Sequence, residues 1–127
     1  LYLSDLQLME RRAVFCLPNS NSPVGQKRHV ISLGLSGEPW VCPVLALHSY
    51  VAVRSRLEGP LFMHSDNRTV TKREFLTVFR WALQLLGLCP EQYGVHSFWL
   101  GTAVTAARFG YPGEDVTRLA RWPCMIP

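Results

Sequence analysis

A chain of 127 residues is long enough for one domain with a real core and short for two. Apolar residues make up 48% and charged residues 17%, a globular balance that excludes a disordered chain, and no apolar run approaches the roughly 18 residues of a membrane span. The net charge is +4 and eleven of the thirteen basic residues are Arg, which suits phosphate contacts and equally a solvated surface, so charge alone leaves the partner open.

The first residues, "LYLSDLQLMERR", carry no basic segment followed by an apolar stretch, so a secretory signal is not supported. Residue 1 is not Met and the chain stops at "RWPCMIP", so both ends read as cut from something longer. Cys16, Cys42, Cys89 and Cys124 stand singly, each among apolar neighbours, without Cys-x-x-Cys or His-x-x-x-His spacing. That pattern suits reduced core thiols in an intracellular protein and calls for neither a disulfide nor a metal site; no small-molecule cofactor is expected.

In chain order, a first strand falls near Tyr2 to Leu8. Val14 to Leu17 forms a second. "RHVISLG" forms a third, with Val30, Ser32 and Gly34 on one face and Ile31 and Leu33 on the other. Between the last two, "PNSNSPVGQK" is dense in turn residues and predicts a hairpin with a long loop. Pro43 suits the first position of a helix in which Val44, Leu47, Tyr50 or Val51, and Arg54 follow at helical spacing, ended by Gly59-Pro60. "LFMH" is a short strand or extended link and "SDNRTV" a turn.

A second helix runs from Lys72 to Leu86. Thr71 and Glu74 form its capping box, Gly87 closes it, and Phe75, Val78, Phe79, Ala82, Leu85 and Leu86 form its apolar face. A third spans about Ser97 to Phe109, ended by Gly110. Its Gly101, Ala103, Ala106 and Ala107 would let a neighbouring element approach closely. Pro112 opens a fourth, with Glu114 and Asp115 in its first turn and Arg118 and Arg121 in its last, both matching the helix dipole. Strands first and helices after predict a single α+β domain over residues 1–127, with a small antiparallel sheet near the N-terminus and a mainly helical body.

His96-Ser97-Phe98-x-x-Gly101, followed by "TAARFGYP" and "VTRLARW", resembles the C-terminal catalytic domain of tyrosine recombinases of the phage-integrase type, in the flavour of eukaryotic retroelement recombinases. "VCPVLALHSYVAVR", the segment Gly59 to Phe98 and the preceding hairpin follow the same order, so the resemblance covers nearly the whole chain. It implies DNA integration and recombination through a 3′-phosphotyrosyl intermediate formed by a tyrosine nucleophile. A phosphate under attack gains charge on its equatorial oxygens, so such a site needs cationic donors aimed at them. The family supplies two Arg, a hairpin Lys, a His in a His-x-x-Arg box and a later His or Trp.

Carried over by position, His96 stands at the box histidine as a phosphate donor or proton-transfer group. Trp122 stands at the His/Trp position, where its indole N–H can donate to a phosphate oxygen. Trp99 stands in place of the second Arg and Asn21 in place of the Lys, with Lys27 and Arg28 following it in the loop that meets DNA in the family; Arg121 precedes Trp122 as a further DNA-contact residue. The first Arg would lie before Leu1 and the nucleophile beyond Pro127, so the chain reads as a partial domain lacking its first segment and its nucleophile-bearing end. Tyr111, the nearest tyrosine, falls in an interhelical turn. An indole has one neutral donor where a guanidinium has five, and losing one such donor costs on the order of 10²–10³ in rate.

The resemblance therefore implies a nuclear protein that binds duplex DNA through the phosphate backbone, self-associates on it and is catalytically inactive as it stands. Two alternatives are an active recombinase completed by flanking sequence and a scaffold reused for protein–protein interaction. Structural readings also stand: His96 as a helix cap or core polar group, Trp99 and Trp122 as core aromatics, Lys27-Arg28 and Arg11-Arg12 as solvated faces, and Trp40 and Trp81 as core or surface packing.

Overall fold

The computed structural model describes residues 1–17 and 29–120, and the chain divides into two compact units, Leu1–Val70 and Thr71–Pro127. The fold is α+β, with a small antiparallel sheet at the N-terminal end followed by helices.

In the first unit, β1 (Leu6–Leu8), β2 (Arg12–Leu17) and β3 (His29–Gly34) form a sheet in the order β1-β2-β3. Leu6 lies opposite Phe15 and Leu8 opposite Ala13; across the other edge Ala13 faces Leu33 and Phe15 faces Ile31. Because side chains alternate along a strand, this register gathers Leu6, Leu8, Ala13, Phe15 and Leu33 on one face. That face packs against Cys42, Val44 and Leu47 at the start of α1 (Pro43–Val53), and Ala13 and Val44 are fully buried. The predicted alternation of β3 holds: Leu33 joins the core and Val30 faces out. Before β1, a 3₁₀ turn covers Leu3–Asp5, where the sequence predicted strand from Tyr2.

Pro43 opens α1 as expected, but the helix stops at Val53 and not at Gly59-Pro60. Arg54 leaves the helix in an extended conformation and its side chain is 8% exposed. Its Nε donates to the Leu61 carbonyl (2.9 Å), Nη1 to the carbonyls of Ser55 and Leu57, and Nη2 to the Pro60 carbonyl (2.7 Å) and the Met63 sulfur (3.1 Å). The fork thus ties the loop after α1 to the end of the helix and satisfies its carbonyls. One turn earlier the Tyr50 hydroxyl accepts from the Met63 N–H (2.8 Å) and donates to the Leu61 carbonyl (3.0 Å). Leu61 is fully buried, and its N–H donates to the Leu1 carbonyl while Leu3 N–H donates to that of Gly59. Phe62 to Val70 folds back on itself, with Asn67 in the left-handed region (φ 65°) at the tip.

In the second unit, α2 (Lys72–Leu85) starts with the predicted capping box: Glu74 N–H donates to Thr71 Oγ1 (3.2 Å) and Thr71 N–H to Glu74 Oε2 (2.8 Å). It ends on Gly87 (φ 71°), whose N–H donates to the Gln84 carbonyl while Leu88 N–H reaches that of Leu83. Two such reversed bonds satisfy carbonyls that the helix end would leave open. The expected apolar face is there in spacing but not in burial. Leu83 is 6% exposed, whereas Val78 is 63% and Leu85 68% exposed. After a 3₁₀ turn at Pro90–Gln92 come α3 (Val95–Arg108) and α4 (Gly113–Ala120), which pack on each other. Gly110 (φ 82°) closes α3 in the same way as Gly87 closes α2.

No helix among the described residues is long and apolar enough to cross a membrane. Of the cysteines expected in the core, Cys42 is buried, Cys16 partly so, and Cys89 is exposed; Cys124 lies outside the described residues. The Cys42 thiol is held below its ordinary value, chiefly by the backbone N–H of Leu45 in the first turn of α1 and then by that of Ser36, which lies 3.4 Å from the sulfur.

Candidate functional site

The His-x-x-Trp box forms the first turn of α3. Gly94 precedes it in an extended conformation, and the pair Gly94–Ser97 closes the helix start: Gly94 N–H donates to Ser97 Oγ (3.0 Å) and Ser97 N–H to the Gly94 carbonyl (3.0 Å). Ser97 therefore does the capping that His96 was a candidate for, and the imidazole is left for other work. The His96 ring is exposed and meets Trp99 edge-on, with ring centroids 6.3 Å apart and planes at 85°. Residues three apart share one side of a helix, and the rings take that side together. Trp99 is 45% exposed, so it is not a buried filler.

Phe98, between them, points elsewhere. Its ring lies 5.0 Å from that of Phe79 and 6.3 Å from that of Phe75, and Phe75 and Phe79 stack at 6.1 Å. This three-ring cluster joins the start of α3 to α2, and at about 100° per residue Phe98 lies on a different side of the helix from His96 and Trp99. The first turn of a helix also carries the positive end of its dipole and N–H groups without intrahelical partners. The turn thus offers an imidazole, an indole N–H and a favourable field to an anion, but no guanidinium at position 99.

Tyr111 does not belong to this group. It lies beyond the other end of α3, about 20 Å from His96 at 1.5 Å rise per residue, and its N–H donates to the Ala106 carbonyl in the closing turn. It cannot serve as a nucleophile for a phosphate held at His96. Arg54 is likewise ruled out as a replacement cation, since all five of its donors are taken by the loop it ties down.

Asn21, Lys27, Arg28, Arg121 and Trp122 lie outside the described residues, so of the predicted site only His96 and Trp99 are brought together. Trp40 and Trp81, expected in core or surface packing, are both largely exposed, which leaves the surface reading. Among the described residues no three of His, Cys, Asp and Glu cluster as metal ligands.

One feature escaped the sequence reading and another was seen only in part. One is the Arg54 hub; an Arg closing an apolar helix just before a Gly-Pro loop was its only signal. The other is a shallow groove of about 550 Å³ along α3, bounded by Phe98 at one end and by Phe109 and Tyr111 at the other, with Gly101 and Ala106 in its floor. Small residues at that spacing were read as room for a neighbouring element. Among the described residues none comes close at Gly101, where there is open space for a side chain.

Compared with protein-family models, curated proteins and solved structures, the chain finds no match.

Proposed function

We propose that this chain is a decayed tyrosine-recombinase catalytic domain that holds duplex DNA by its phosphate backbone and does not cut it. The observation that carries the reading is the first turn of α3, where the exposed His96 and Trp99 rings stand side by side at the helix start. That is the place where a phosphate would be met by the imidazole, by the N-terminal dipole and, in a competent enzyme, by an arginine fork. With Trp at 99 the fork is missing; with Tyr111 at the far end of α3, so is a nearby nucleophile. Lys27, Arg28 and Arg121 complete the phosphate contacts in this reading, which also entails a nuclear location and assembly of copies along DNA.

The test is the reverse substitution. Trp99→Arg restores a guanidinium beside His96 and is expected to tighten binding of a fluorescent duplex several-fold at low salt, while His96→Ala weakens it. Neither wild type nor Trp99→Arg forms a covalent adduct with a nicked suicide substrate. If Trp99→Arg binds DNA no better than wild type, position 99 does not face a phosphate and the reading fails. An adduct on the wild-type chain would overturn the inactive assignment.

A second reading, a scaffold for protein partners, is favoured by the apolar residues that α2 leaves in water, Val78, Trp81 and Leu85. It predicts recovery of a protein partner without nucleic acid.

A further inference from the structure

We draw no further inference here: the strongest candidate, the open groove of small residues along α3 between Phe98 and Tyr111, is an unpartnered apolar face, and nothing in the structure shows what covers it.

Discussion

Arg54 is a buried guanidinium satisfied by backbone oxygens and one sulfur, so its charge is spread over a loop and not neutralised by a single carboxylate. Lys has three donors on a compact head and cannot reproduce a five-point fork. Arg54→Lys should therefore leave carbonyls of the 55–63 loop unpaired and cost about 2–6 kcal/mol, at roughly one to three for each of the two bonds lost. Urea unfolding reads this as a lower midpoint at unchanged slope; an unshifted midpoint would mean that water replaces the guanidinium at no cost. Cys89 and Glu91 make a second local prediction. The thiol donates to Glu91 Oε2 at 2.9 Å, which raises the Cys89 pKa and lowers that of Glu91. The raised thiol pKa stabilises the fold below the unfolded thiol value, and that is lost as pH rises through the folded one. The lowered carboxyl pKa stabilises above the unfolded carboxyl value and is lost as pH falls through the folded one. Glu91→Gln removes the carboxylate, so Cys89 alkylation at pH 8 should speed up several-fold, as peptide mapping would show. An equal rate in both proteins would dismiss the pairing. Arg54 was not legible in sequence as a bonded group, because its acceptors depend on where a loop returns; the Cys89–Glu91 pair is local, but a spacing of two does not by itself fix the rotamers that bring thiol to carboxylate. His96 and Trp99 were legible as neighbours because a spacing of three on a helix fixes proximity without any tertiary information.

Helix ends follow the same logic at the next scale. The Thr71–Glu74 box and the closing glycines at 87 and 110 were readable because each is settled within six residues, and the structure has all three. The end of α1 was not, since no Gly or Pro stands at Val53 and Arg54, and the loop that follows is held by a side chain whose reach the sequence does not display. The apolar stripe of α2 shows a further limit: periodicity says which side of a helix is apolar, not whether another element lies on it. Two threonines, one capping α2 and one within it, separate capping from mere presence. Thr71→Ala removes the acceptor for the Glu74 N–H and should cost about 1 kcal/mol of stability. Thr77 spends its hydroxyl on the Arg73 carbonyl one turn back (2.9 Å), a bond that competes with the helix. Thr77→Ala should thus be neutral or slightly stabilising, Ala being the better helix former. Thermal unfolding of the two variants compares them directly, and equal losses would mean that the box contributes nothing beyond propensity.

For the molecule as a whole, two surface properties compete to define the partner: a net charge of +4 carried mostly by Arg, and the apolar side chains that α2 and α3 leave exposed. They respond to salt in opposite directions. Each phosphate neutralised on duplex DNA releases counterions, so log K falls with log salt at a slope of about −0.9 per phosphate contact. Apolar association is instead unchanged or strengthened as salt rises. If the chain grips DNA through the His96 turn and a few arginines, anisotropy titrations from 50 to 200 mM salt should show a straight log–log decline with a slope of roughly −2 to −4, corresponding to a few contacts. Trp99→Arg should steepen it by about one, because the new guanidinium adds one phosphate contact while leaving the fold of α3 intact. Ser97, not residue 99, closes the helix start, and Phe98 anchors it to α2, so the substitution changes the charge presented and not the platform that presents it. A wild-type slope near zero, with binding that persists at high salt, would shift the assignment from phosphate recognition to the apolar faces and make the protein scaffold the better account.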